Sequence, residues 1–190
     1  MEISPLEASV LYAGIVVDTK NFAVQTGERT FEAAAYLRRY GADPHAVSQL
    51  FKEDDASVIL RAKIITEMKK PIPGLAVSVH SGGAQNDRNV SVVVAQAADE
   101  LLTMNDIHVS AVLNESDDGV SISARSDGSV NVQTMMEELG GGGHQTVAGV
   151  QIKGAKAEDL IPKIIEMAKE QMKESDSDEG NSAEGRKEVG

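Results

Sequence analysis

Pro71 and Pro73 impose the strongest constraint on what this chain can fold into. A proline inside a helix removes a backbone donor and collides with the preceding turn, so this pair ends helical structure. The residues on its two sides obey different periodicities. Before it, apolar residues recur at helical spacing; after it, Leu75 to His80 alternates as a strand does. The break predicts two folded parts, residues 1–70 and 74–173. An acidic tail, 174–190, is expected to be disordered because its Ser, Asp, Glu, Gly and Asn bury too little surface.

The first part reads as helices only. Ser4-Pro5-Leu6-Glu7 is a capping box with proline at the first helical position, and an apolar run through Val10, Leu11, Ile15 and Val17 stops at Asp18. Further helices are expected from Thr30 to Gly41, from Asp43-Pro44, and from Ala56 to Lys70. Helices without the sheet they would cover point to a chain cut inside a domain.

The second part mixes both periodicities. Gly82-Gly83 is a turn, and Val90 to Leu102 is ambiguous, β-branched at its start and helical at its end. Val109–Leu113 and Val120–Ala124 read as a hairpin through Asp117-Asp118-Gly119. A helix follows over Asn131–Leu139, then Gly140 to Gly143, His144, a strand near Val150–Ile152 and a last helix from Ala157 to about Met172. The fold class is α/β, with a mixed sheet in the second part.

Composition narrows the chemistry. The chain has no cysteine, which excludes a disulfide framework, a thiolate nucleophile and a Cys-bound zinc. With a net charge of -12 it offers no broad basic surface for a long duplex, so an anionic ligand must be small and held locally. No apolar run reaches the ~20 residues that span a bilayer, and residues 1–15 carry no signal-peptide pattern. A cytoplasmic location is expected.

Three places could carry chemistry. The glycines Gly140, Gly141, Gly142 and Gly143 let a backbone approach a ligand and aim N–H groups at an anion, with His144 beside it; the other reading is a linker. Arg125 ends an apolar strand, where a guanidinium suits a phosphate clamp as well as an ordinary surface position. Asp18 closes an apolar stretch and could bind a divalent cation, with Arg29 and Thr30 near in sequence. A helix C-terminus disfavours a carboxylate. His45, His80 and His108 lack metal-ligand spacing and read as structural or surface residues.

Together these segments resemble the DHH phosphodiesterase family, and within it the GdpP-like cyclic di-AMP phosphodiesterases. The likeness rests on Ala13 to Phe22 with Thr26 to Phe31, on Val94 to Leu102, and on Ile122 to Ser126 continuing through Asn131 to His144. The resemblance implies that residues 1–70 are the helical end of a DHH domain and 74–173 a DHH-associated nucleotide-binding domain. It implies a two-manganese centre, of whose ligands only the final aspartate has a counterpart, Asp18. It implies that Arg125 and Gly140 to His144 contact the nucleotide, a cyclic dinucleotide or a short oligonucleotide. Full-length relatives are expected to be membrane-anchored, and a homodimer is a further expectation. The chain alone is expected to be inactive. Two other functions fit the same residues: a DHH nuclease acting on short oligonucleotides, and a non-catalytic nucleotide-binding module.

Overall fold

The computed structural model describes residues 3–24, 26–82 and 88–184. Gly83 of the expected turn and residues 185–190 of the expected tail lie outside them. The chain forms two compact units, residues 1–54 and 55–190.

The first unit holds α1 (Pro5–Asp18), α2 (Glu28–Arg39) and α3 (Pro44–Gln49). The Ser4–Glu7 capping box starts α1 and the Asp43 side chain caps α3, as their sequences dictate. Ala8, Leu37 and Ala42 form the small core of this unit, with Ile3, Tyr12 and Ile15 packed against it. Leu6, Val10, Leu11 and Val17 of the apolar α1 are exposed.

The second unit begins with α4 (Asp55–Thr66), which the break at the prolines had assigned to the first part. Packing decides its place. Ile64 is buried among Ala76, Val93, Ala97 and Leu101, and Ser78 Oγ donates 2.6 Å to the Ile64 carbonyl. The order continues β1 (Lys69–Ile72), β2 (Gly74–Ser81), α5 (Arg88–Leu101), β3 (Ile107–Ser116), β4 (Gly119–Ser126), α6 (Val132–Glu138), β5 (Gly142–His144), β6 (Val147–Lys153) and α7 (Ala157–Glu184). Pro71 therefore lies within an edge strand, one of the few sheet positions that tolerates it.

The six strands are ordered β1-β2-β3-β4-β6-β5. Only β2 and β3 pair in parallel, joined across α5; the other neighbours are antiparallel, so the sheet is mixed. One face packs against α6 and α7 through Leu75, Val109, Leu113, Ile122, Met135, Met136, Leu160 and Ile164. The opposite face meets α4 and α5 over β2 and β3, where Ala76 and Val112 join Val94, Ala98 and Leu101.

The last helix runs past its expected end near Met172 as far as Glu184, so residues 174–184 are helical where disorder was expected. Its packed stretch, with Leu160, Ile164 and Ala168 buried, supplies the costly nucleus, and each further residue adds at little cost.

Candidate functional site

Register decides which side chains meet. Directly opposed residues of an antiparallel pair project to the same face. Ser110 of β3 opposes Arg125 of β4, Arg125 opposes Val147 of β6, and Val147 opposes His144 of β5. Arg125 and His144, 19 positions apart in sequence, thus stand in one row on one face. The next row along that face is Val112, Ser123, Gly149 and Gly142.

That face is covered unevenly. Ser110 Oγ donates 2.7 Å to the Ala98 carbonyl, which pins α5 over β3. Beyond it, Ser121, Ser123, Gly149 and Gly142 are half-buried, and Val147, Gln151 and His144 are exposed. Exposed Val147 stands between Arg125 and His144, and the row beside them, Ser123, Gly149 and Gly142, is a floor of small residues where the backbone lies close to the surface. A concavity of about 730 Å³ lies elsewhere, lined by Ser81, Glu115, Asp117, Asp118 and Lys156. Its three carboxylates suit an anion poorly.

The four glycines divide their work differently from the expectation. Gly140 has φ +85°, its N–H donates to the Glu137 carbonyl, and the Gly141 N–H donates to the Met136 carbonyl. This double bond pattern closes the C-terminus of α6, so two of the four N–H groups are spent on the helix. No helix follows the run; β5 does, paired with β6 in a tight hairpin. Gly141 and Gly143 are there because β6 passes too close for a side chain. A Cβ on Gly141 would lie 2.3 Å from the Gly149 oxygen, and one on Gly143 would lie 2.5 Å from the Ala148 Cα. Gly142 alone combines open space above it with a place on the uncovered face. Of the six residues expected at the ligand, Arg125, Gly142 and His144 occupy that face.

Arg125 is less free than an end-of-strand arginine would be. Its Nε donates to Asp99 Oδ1 at 3.1 Å and its Nη1 to its own neighbour's carbonyl, Ala124, at 3.0 Å. Its side chain is 11% exposed and that of Asp99 35%. Asp99 was not foreseen. The signal was a pair of acids, Asp99 and Glu100, set between Ala97, Ala98 and Leu101, which are fully buried. Glu100 beside it pairs with Arg61 of α4 at 3.2 Å.

Asp18 lies in the other unit, at the last position of α1, and is exposed. The turn after it is unusual: Lys20, Asn21 and Phe22 all have positive φ. Thr19, buried at 3% exposure, holds that turn, since its Oγ1 donates to the Ile15 carbonyl and accepts from the Phe22 N–H. Phe22 then stacks on Phe31 with ring centroids 5.5 Å apart, which brings the two motifs of this unit together. Thr30 Oγ1 accepts from the Gly27 N–H and so belongs to the start of α2. Arg29 is exposed. Among the described residues no three His, Cys, Asp or Glu converge to hold a metal. One exposed carboxylate does not make a two-ion centre.

The other histidines are accounted for locally. His80 is half-buried, and burial, helped by Lys63 and opposed by Glu67, lowers its pKa. His108 Nδ1 lies 2.7 Å from Asp127 Oδ2 at the surface.

The sheet with helices on both faces is also the fold of a solved structure. An exopolyphosphatase-related protein from Bacteroides fragilis superposes with a TM-score of 0.79 at 18% identity, over 92% of this chain and 53% of that one. The family model for the DHHA1 domain matches residues 75–174, which is more than half of the chain. The chain belongs to the DHHA1 domain family. Its relatives extend the match beyond that domain. The cyclic-di-AMP phosphodiesterase GdpP of Geobacillus thermodenitrificans is 48% identical over 153 residues, 80% of this chain and 23% of the relative. The cyclic-di-AMP phosphodiesterase PdeA of Listeria monocytogenes is 42% identical over 165 residues, 86% of this chain and 25% of the relative. The chain spans about a quarter of the length of these relatives. The uncovered sheet face, with Arg125, Gly142 and His144, is thus a feature of a GdpP-like DHHA1 region. Among the described residues of this DHHA1 protein no helix is long and apolar enough to cross a membrane.

Proposed function

We propose that this chain is the dinucleotide-binding part of a manganese-dependent cyclic di-AMP phosphodiesterase, acting at the cytoplasmic side. The observation that carries this reading is the shared row of Arg125 and His144 beside the Ser123, Gly149 and Gly142 floor. Small residues admit a base or ribose close to the strands, while a guanidinium and an imidazole flank it as donors to phosphate. In a protein with net charge -12, such a local cluster is what gives an anion a place to bind. The likeness to cyclic-di-AMP phosphodiesterases at 42 and 48% identity supports the choice of ligand.

In the complete enzyme two manganese ions would activate a water and stabilise the leaving oxygen. Asp18 is the residue of this chain we assign to them. The chain's own part is to hold the dinucleotide, and alone it is expected to bind without cleaving.

Calorimetric titration with cyclic di-AMP tests this. His144→Ala should weaken binding by roughly ten- to a hundredfold, the worth of one lost hydrogen bond of ~1–3 kcal/mol, while the circular dichroism stays that of the parent. Undiminished affinity in a folded His144→Ala variant would remove the site from this face. Preference for the linear dinucleotide pApA over cyclic di-AMP would favour a nuclease acting on short oligonucleotides. Manganese-dependent conversion of cyclic di-AMP to pApA by this chain would overturn the division of labour.

A further inference from the structure

Arg125 sits on a border. On one side of it α5 covers β2 and β3 and reaches β4; on the other the face over β6 and β5 is less covered, with Val147 and His144 exposed. An arginine at such a border has two choices. It can lie toward solvent with many rotamers, or be fixed by a partner on the covering helix. Here the partner is Asp99, in the last turn of α5, one residue after the Ala98 carbonyl that Ser110 binds in the same row. The helix is therefore pinned to this row at two successive residues.

The bond to Asp99 leaves the Nη groups of the guanidinium to other partners. A guanidinium has five N–H donors in a fixed plane: one on Nε and two on each Nη. Asp99 takes the Nε–H and the Ala124 carbonyl takes one on Nη1. The Nη edge keeps three, the edge that makes two parallel bonds to a phosphate. A carboxylate on Nε does not compete for them, and it fixes the plane in which they lie.

Resting on the binding site proposed above, we infer that Asp99 is a positioning residue for dinucleotide recognition. It does not touch the ligand. It holds Arg125 so that the phosphate meets a guanidinium already oriented, which spares the rotamer entropy otherwise lost on binding. The charge matters less than the acceptor: an amide oxygen at the same place can take the Nε–H.

Calorimetry with cyclic di-AMP on the full chain tests this through a double-mutant cycle. Arg125→Ala should weaken binding at least tenfold, and Asp99→Ala by about tenfold. In the Arg125→Ala background, Asp99→Ala should change affinity by less than about twofold, because nothing is left to position. Asp99→Asn should stay within about threefold of the parent. In the free protein, the Arg125 Nε–H resonance should be protected from exchange, and that protection should vanish in Asp99→Ala. Asp99→Ser, whose hydroxyl falls short of Nε, carries the same expectation if Asp99→Ala does not fold. Unchanged or tighter binding by Asp99→Ala overturns the inference. So does a loss that persists undiminished in the Arg125→Ala background, or an Nε–H that exchanges equally in both proteins. Undiminished binding by folded Arg125→Ala would instead overturn the site on which the inference rests, as would a parent chain that binds no cyclic di-AMP.

Discussion

Replacing Gly141 and Gly142 separately by alanine should separate folding from binding within two adjacent residues. A Cβ on Gly141 meets the Gly149 oxygen at 2.3 Å, the Val150 Cβ at 2.5 Å and the Val150 Cα at 2.8 Å. Ordinary contact is ~3.5 Å or more, so β6 would have to retreat by about 1 Å. It cannot do so freely. β6 is paired with β4 on one side and β5 on the other, and Val150 is part of the core beneath. Overpacking of this kind costs ~1–3 kcal/mol, and each ladder bond broken to relieve it a further ~0.5–1.5 kcal/mol. The Gly141 N–H also closes α6, so the same shift loosens the helix end. Gly141→Ala should therefore lose about 3 kcal/mol or more. Gly142→Ala meets nothing within 4 Å and should lie within ~0.5 kcal/mol of the parent. Gly142→Leu should also fold, yet its side chain would rise on the open face between Ser123, Gly149 and His144 and abolish dinucleotide binding. Urea unfolding followed by circular dichroism, with amide exchange of β6 to isolate this unit, gives both stabilities. A Gly141→Ala variant as stable as the parent, or a Gly142→Ala variant that loses as much as Gly141→Ala, would refute this assignment of the two glycines.

Thr19→Val should destabilise the first unit by about 1–3 kcal/mol, because the Phe22 N–H loses its acceptor in a turn of three left-handed residues; Thr19→Ser should recover most of it in thermal melts. Asp127 is partly buried, which raises its pKa, but bonds from Ser129 and His108 outweigh that and hold it below the ordinary carboxylate value. A depressed carboxylate adds stability that is complete above the unfolded value of ~3.9 and is lost as pH falls through the lower folded value. Asp127→Asn should thus flatten the acid limb of the stability profile, by a small amount because the pair is half exposed and screened. Removing residues 174–190 should leave the melting temperature almost unchanged, and a drop of several degrees would show that this segment packs on the body.

Local chemistry was legible in the sequence. The capping box at Ser4, the Asp43-Pro44 start of α3 and the turn at Asp117-Asp118-Gly119 each act within a few residues, and each produces its element wherever it stands. The resemblance to DHH phosphodiesterases was legible for the same reason, being carried by contiguous stretches. What tertiary structure alone decided is everything that depends on who lies opposite. Val90 to Leu102 could have been strand or helix until Ala97, Ala98 and Leu101 found the α4 side of the sheet to bury against. Three residues of β5 have no strand signature of their own and exist because β6 supplies the ladder. The glycine run looked like one cradle, but the closeness of β6 and the end of α6 claimed Gly140, Gly141 and Gly143 and left Gly142 to the open face. Asp99 and Arg125 are 26 positions apart. No periodicity links them; only the crossover that lays α5 along the row of Ser110 and Arg125 brings carboxylate and guanidinium to 3.1 Å.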